Sequence, residues 1–95
     1  MYVNILSFKI DDKDGISGNE FSMFEDSLSP KPRGLDRLHI FKDKAKKNQF
    51  YLIEYWKSVD YKNKMESSEK FCTLKKIHIV AKDHRYKKIE CDVVI

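Results

Sequence analysis

Apolar and polar positions alternate over residues 2–10 and again over residues 35–42, which predicts two β-strands. Between these strands, Phe21, Phe24 and Leu28 recur at helical spacing. Pro30 and Pro32 follow them and cannot continue a helix. We therefore expect a helix over about residues 18–28, followed by a turn at Gly34 that leads into the second strand.

A third strand is predicted from residue 49 to residue 58, after a polar hairpin connection over residues 43–48. Unlike a strand with one wet face, it has apolar or aromatic residues on both faces. One face would consist of Phe50, Leu52, Glu54 and Trp56, and the other of Tyr51, Ile53 and Tyr55. A short chain can cover one face with its own helices, so we expect something else to cover the other.

The remaining pattern predicts a second helix that begins near Ser58 and continues through Tyr61, Met65 and Cys72 toward Ile77. Residues 77–80 fit either the end of this helix or a short strand. Residues 83–86 are expected to form a loop, and residues 88–95 the last strand. The order strand, helix, strand, strand, helix, strand is typical of α+β ferredoxin-like domains. We therefore predict one βαββαβ domain over residues 1–95, with an antiparallel sheet and helices on one of its faces.

Composition narrows the class of protein. The chain has 95 residues, and its net charge of +4 comes mainly from lysine, which favours a solvated surface over a nucleic-acid site. No apolar run approaches the roughly 20 residues that cross a bilayer, and no signal peptide is visible at the start. Cys72 and Cys91 lie far apart in the sequence and do not have the spacing of metal ligands. Two such lone thiols are expected of a protein in a reducing compartment. We expect a cytoplasmic protein with no membrane partner.

Several motifs that would carry a cofactor are incomplete. The acidic turn at residues 12–20 resembles a calcium loop, but with Asp12 as its first ligand the fifth position is Ile16, which has no oxygen side chain. The histidines, His39, His78 and His84, have no metal-ligand spacing among themselves or with the cysteines. The aromatic motif of RNA-recognition domains is also missing around Phe50. These residues predict no metal site.

A different set of residues agrees in order and spacing with a known family. It comprises the Gly34 turn, the Glu54-x-Trp56-x-Ser58 ending of the third strand, and Ser68 followed three residues later by Phe71. Together they resemble the antibiotic biosynthesis monooxygenase family. The resemblance covers most of the chain from Gly34 to Phe71.

The resemblance implies a fold and a reaction. Ferredoxin-like units of the family pair face to face as a dimeric α+β barrel, which implies a homodimer. The sheet face with Phe50, Leu52 and Trp56 would then become an interior shared by two chains, while Tyr51 and Tyr55 would pack under the helices. The reaction implied is oxygenation of a small electron-rich aromatic, such as a quinol or an anthrone, without metal or flavin.

The resemblance also suggests site residues, in a pocket between sheet and helices. Trp56 matches the tryptophan of the family's pocket. Asn4 lies on the first strand, two residues before the position of the family's pocket asparagine, and Leu6 occupies that position in this chain. The predicted pocket residues are Asn4, Leu6, Phe50, Leu52 and Trp56. His39 and Glu54 are the candidate catalytic bases, and Arg37 is a candidate ion-pair partner for Glu54.

A related branch of the family degrades heme, but its histidine ligand would fall near Lys75, and His78 lies about one turn further on. This departure argues against heme, so no cofactor is expected.

Two alternatives remain open. The same fold could serve as a non-catalytic module that binds or senses a small ligand. The chain could instead be a small basic RNA-binding or RNase-toxin-like protein, for which residues Lys82, His84, Arg85, Lys87 and Lys88 form the dense basic candidate.

Overall fold

The computed structural model describes residues 1–10, 31–69, 72–82 and 86–94. In this part of the chain, four strands form one antiparallel sheet and two helices pack on it. The strands are β1 (Tyr2–Lys9), β2 (Leu35–Lys42), β3 (Gln49–Trp56) and β4 (Lys87–Asp92); the helices are α1 (Val59–Ser67) and α2 (Cys72–Lys82). The predicted first helix, over residues 18–28, lies outside the described residues.

The strands lie side by side in the order β2-β3-β1-β4. This order and the antiparallel pairing are those of a ferredoxin-like sheet, so the predicted α+β fold class is confirmed. β1 and β3 form its centre, with Asn4 opposite Glu54 and Leu6 opposite Leu52. Because both strands are central, the side chains on their two faces have the best opportunity for burial.

Both helices cover the same face of the sheet, which we call the helix face. Ile77 and Ala81 of α2 pack in one apolar cluster with residues of β1 and β3, namely Leu6, Phe8, Phe50 and Leu52. Met65 of α1 and Leu74 of α2 pack in a second cluster with Tyr2, Leu35 and Trp56. Most of the core thus lies between the sheet and the chain's own helices.

This arrangement reverses one prediction about the two faces of β3. Phe50, Leu52 and Trp56 are buried under the chain's own helices, whereas Tyr51 and Tyr55 are half-buried on the opposite face. We call that opposite side of the sheet the open face. The predicted alternation is confirmed, but alternation is symmetric and does not say on which side the helices dock.

The second helical region differs from the prediction of one continuous helix. α1 ends where Ser68 adopts extended backbone, with φ −77° and ψ 148°, and α2 begins at Cys72. The predicted start of this region near Ser58 is confirmed, since Ser58 is the N-cap of α1, although its side chain makes no capping hydrogen bond. Residues 77–80 are helical, because Leu74, Ile77, His78 and Ala81 are buried at helical spacing.

Two turns explain why β2 and β3 begin where they do. Gly34 has φ +86°, and a Cβ at this position would lie 2.3 Å from Cγ of Tyr61 on α1, so only glycine fits the turn that precedes β2. In the hairpin, the Asp43 carboxylate accepts hydrogen bonds from the backbone of Ala45 and Lys46, and Asn48 adopts φ 62°.

Candidate active site

A row of polar side chains crosses the helix face between the two apolar clusters. Asn4 of β1 lies opposite Glu54 of β3, and both point toward α2, where His78 is at a core-facing position. The three side chains are buried, with exposed fractions of 1% for Asn4, 0% for Glu54 and 6% for His78. Such burial requires that each group be hydrogen-bonded.

The Glu54 carboxylate is held by one partner on each oxygen. Nδ2 of Asn4 donates to Oε1 at 2.8 Å, and Nε2 of His78 lies 2.8 Å from Oε2. An ionised Glu54 selects the histidine tautomer that carries its proton on Nε2. Nδ1 is then the ring nitrogen left to accept a proton, and the carboxylate would stabilise the resulting imidazolium.

Two atoms beside this row have no hydrogen-bond partner among the described residues. They are Oδ1 of Asn4, whose amide nitrogen is already used by Glu54, and Nε1 of Trp56. The Trp56 side chain has an exposed fraction of 0%. One buried acceptor and one buried donor on the helix face therefore lack a partner among the described residues.

The structure brings some of the predicted site residues together and separates others. Asn4, Glu54 and Trp56 share the helix face, with Asn4 and Glu54 in direct contact. Leu6, Phe50 and Leu52 lie on the same face but pack against one another in the apolar cluster under α2. Their role as pocket residues stays a prediction.

His39 was wrongly expected on a pocket-facing strand position. It pairs with Ile53 and lies exposed on the open face, where its ring stacks on Phe41 with centroids 5.5 Å apart. The sheet separates it from Glu54. His39 therefore cannot share a site with Glu54 within one chain.

The expected ion pair between Glu54 and Arg37 is also wrong. Arg37 lies on the open face, with its guanidinium 4.4 Å from the centre of the Tyr55 ring and its Nε 3.6 Å from the Asp36 carboxylate. The register shifts between Leu35 and Arg37, which buries Leu35 against the helix-face core while Arg37 stays on the other side. The partners of Glu54 are Asn4 and His78 instead.

His78 is the site residue that sequence reasoning missed. It follows the position of the family's heme ligand by about one turn, so the resemblance does not include it among the site residues. The helical spacing of Leu74, Ile77 and Ala81 would have placed it on the buried face if residues 77–80 had been assigned to a helix. No sequence spacing links it to Glu54, since 24 positions and a helix boundary lie between them.

A second polar group ties α1 to the sheet edge. The Tyr2 hydroxyl donates to Oε1 of Glu90 at 2.6 Å, and the buried Lys62 ammonium lies 3.5 Å from Glu66 and 4.0 Å from Glu90. Burial and then the hydrogen bond to Glu90 raise the pKa of Tyr2, whereas burial and then Lys88 lower the pKa of Lys62. This group positions α1 over β1 and β4.

No protein-family model and no curated protein sequence matches the chain. Solved structures do match over nearly its whole length. A structure described as an antibiotic biosynthesis monooxygenase superposes with a TM-score of 0.72 and 14% identity, covering 100% of both chains. A Nitrosomonas europaea protein that carries the same family name gives 0.73 and 16%, again covering 100% of both.

A third match is SnoaB from Streptomyces nogalater, described as a cofactor-independent oxygenase. Its TM-score is 0.71 and its identity 11%, with 99% of this chain and 93% of SnoaB covered. These similarities show that the chain has the fold of the antibiotic biosynthesis monooxygenases. At such identities they establish the fold and not the reaction.

The described residues include no group of three or more His, Cys, Asp or Glu side chains placed to hold a metal ion. None of the described helices is long and apolar enough to span a membrane. The basic cluster of the RNA-binding alternative falls partly outside the described residues. Of its members, Lys88 lies 3.4 Å from the Glu90 carboxylate.

Proposed function

We propose that the chain is a small monooxygenase of the antibiotic-biosynthesis type, which oxygenates an electron-rich aromatic of the quinol or anthrone class without a cofactor. The observation that carries this proposal is the buried hydrogen-bonded series from Asn4 through Glu54 to His78. Cofactor-free oxygenation begins with removal of a proton from the substrate, and this series is a base with its orienting groups. The fold, shared with a cofactor-independent oxygenase, is consistent with such chemistry.

Each residue of the series has a distinct part in the proposed reaction. His78 accepts the proton at Nδ1, Glu54 orients the ring and stabilises the imidazolium, and Asn4 holds the carboxylate in place. For an anthrone-like substrate, the carbanion formed at the ring CH2 adds to dioxygen to give a peroxide anion, which takes back the proton from the His78 imidazolium to form a hydroperoxide. Loss of water from the hydroperoxide leaves a carbonyl, so one oxygen atom enters the product and the other enters water.

The two histidines provide a matched test of this assignment. Dioxygen uptake is measured with an electrode over a panel of anthrones and quinols for the wild type, His78→Gln and His39→Gln. We expect His78→Gln to lose roughly 100-fold or more in kcat, the range for a positioned general base, and His39→Gln to stay within about twofold of the wild type. Glu54→Gln should lower kcat and shift the pH profile.

Three results would contradict the proposal. If no member of the panel supports dioxygen uptake, the oxygenase assignment fails. Saturable binding of the same compounds without uptake would favour the alternative of a non-catalytic binding module. Equal losses in His39→Gln and His78→Gln would show that the buried series has no special part in the reaction.

We further propose that two chains pair through the open face. Its centre is formed by half-buried Ile5, Tyr51, Ile53 and Tyr55, and Phe41 and Ile89 at its sides have exposed fractions of 49% and 47%. An apolar sheet face of this kind favours a partner, and the dimeric barrel implied by the family resemblance would supply one. The paired face would be the one opposite Phe50, Leu52 and Trp56.

Light scattering after size exclusion tests the pairing. Ile53→Lys places a charge at the centre of the open face and should convert a dimer to a monomer. Asn63→Lys introduces the same residue on the exposed surface of α1 and should leave the mass unchanged. A monomeric wild type, or a dimer that survives Ile53→Lys, would rule out this interface.

A further inference from the structure

The outer edge of β4 carries backbone groups that pair with no other strand among the described residues. β4 is the last strand in the order β2-β3-β1-β4, and its residues are all exposed. Proteins often protect an edge strand with a bulge or a proline, because an edge can pair with a strand of another chain. The edge strand β2 has an irregular register between Leu35 and Arg37, whereas β4 has a regular register and no proline. β4 is therefore the regular edge at which a further strand can be added.

The hydrogen-bond pattern shows which residues of β4 direct their backbone groups outward. The amide of Val93 donates to the carbonyl of Met1 at 3.0 Å, so the odd-numbered residues of β4 direct their backbone groups to β1. The even-numbered residues, Lys88, Glu90 and Asp92, therefore direct theirs to the outer edge. Their side chains lie on the helix face, because they pair with even-numbered residues of β1. A strand added to this edge would bond to these three residues.

The charges of these residues favour one alignment of two identical strands. When two copies of β4 pair antiparallel, Lys88 of each chain can lie opposite Glu90 of the other, and Ile89 then lies opposite Ile89 of the second chain. A shift of two residues in either direction places Lys88 opposite Lys88, or Glu90 opposite Glu90. Like charges that lie directly opposite each other destabilise a strand pair, whereas opposite charges stabilise it. Charge complementarity thus selects the first alignment.

We infer that the outer edge of β4 pairs antiparallel with the same edge of a second copy of this chain, with Lys88 of each chain opposite Glu90 of the other. The pairing also places Ile89, which has an exposed fraction of 47%, against its counterpart. Within one chain the two charged groups lie 3.4 Å apart, but their side chains are 38% and 51% exposed, so a second chain can reach them. This edge is distinct from the open face and from the candidate active site.

Disulfide formation tests the alignment. In the inferred pair, the two Ile89 residues form a non-hydrogen-bonded pair with Cα atoms about 4.5 Å apart, which is within disulfide range. The test chain carries Ile89→Cys with Cys72→Ser and Cys91→Ser, and the control chain carries Cys72→Ser alone and so keeps the exposed Cys91. We expect the test chain to form a disulfide-linked dimer in glutathione buffer at least about 10-fold faster, because Cys91 would lie opposite Lys87.

Charge reversal tests the same alignment without a new cysteine. Sedimentation is measured over a range of protein concentrations in the Ile53→Lys background, so that pairing through the open face does not contribute. Lys88→Glu and Glu90→Lys each place like charges opposite each other and should weaken association at least about 10-fold. The double reversal should restore association to within about threefold of the background. Lys88→Glu keeps the hydrogen bond between Tyr2 and Glu90, so its effect does not come from losing that bond.

The outcomes separate this contact from the other proposals. Because only one short strand of each chain takes part, the contact is small and should form at higher protein concentrations than the light-scattering test uses. If Ile89→Cys forms a disulfide no faster than Cys91, the edge is left to a strand of a different protein and the inference fails. A disulfide that is lost with Ile53→Lys would assign the contact to the open face and would also overturn it. Neither result depends on dioxygen uptake, so failure of the oxygenase proposal leaves this inference unchanged.

Discussion

The two faces of β3 carry similar kinds of residues, but one face is buried and the other is half-buried. On the helix face, Leu52 and Trp56 are fully buried and flank a carboxylate that is bonded on both oxygens. On the open face, Ile53 and Tyr55 are half-buried, and the polar groups beside them, Arg37 and His39, make ring contacts at the surface. Composition thus does not distinguish the buried face from the partly exposed one, whereas the cover provided by the helices does.

The largest expected difference between the faces is in packing. Leu52→Ala removes a side chain that is 0% exposed and should lower the free energy of unfolding by about 2–5 kcal/mol. Ile53→Ala, its neighbour on the open face, should cost about 1 kcal/mol or less in the monomer, because its side chain is already partly in water. Urea denaturation at low protein concentration measures both. Equal losses would mean that the open face is as well packed as the core.

The second-largest expected difference is in the loss of stability when each of the two histidines is replaced. His78→Leu leaves the buried Glu54 without one of its partners and should cost about 3 kcal/mol. Adding Glu54→Leu should recover part of this loss, because the double variant no longer buries an incompletely paired carboxylate. His39→Leu should change stability by about 0.5 kcal/mol or less. A double-mutant cycle without coupling between Glu54 and His78 would contradict the hydrogen bond between them.

The smallest expected effect is an acid dependence at the hairpin end of the open face. The Tyr51 hydroxyl donates to the Asp43 carboxylate at 2.5 Å. This bond, followed by those from the Lys46 and Ala45 backbone, lowers the pKa of Asp43 from 3.8 to about 2. Because the folded pKa is the lower one, the stabilisation is present above pH 3.8 and is lost as the pH falls through about 2.

Tyr51→Phe and Asp43→Asn should therefore both flatten the decrease of stability between pH 4 and pH 2. Urea midpoints measured at several pH values check this, with the wild type as reference. If stability decreased as steeply in the variants as in the wild type, the acid dependence would come from other carboxylates. Glu90 is one of these, because its pKa is lowered mainly by the hydrogen bond from Tyr2.

The strands could be predicted well because they are specified by turns and alternation among residues that lie close together in the sequence. β2 begins at Leu35 and ends at Lys42 as predicted, since Gly34 supplies a positive φ before it and Asp43 organises the turn after it. β3 begins at Gln49 and its alternation is the predicted one. The break between α1 and α2 escaped prediction, because the apolar spacing on either side of Ser68 continues as if in one helix.

The candidate site could be predicted only in part. Asn4, Glu54 and Trp56 share the parity that puts them on one face, and a sheet pairing then brings Asn4 and Glu54 into contact. His78 could not be joined to them from the sequence, because its contact depends on how α2 docks on the sheet. His39 was expected on a pocket-facing strand position, but it pairs with Ile53 and therefore lies on the open face.

The sequence by itself determined the four strands, the Gly34 turn, the polar hairpin and the two faces of β3, because backbone geometry and side-chain alternation are local properties. Only the tertiary structure decided which face is covered and which histidine meets Glu54. The physical reason is that the two faces of a strand are equivalent until helices dock on one of them. Docking depends on interactions such as the apolar cluster that includes Ile77 and Leu6 and the contact of His78 with Glu54, which join residues far apart in the chain.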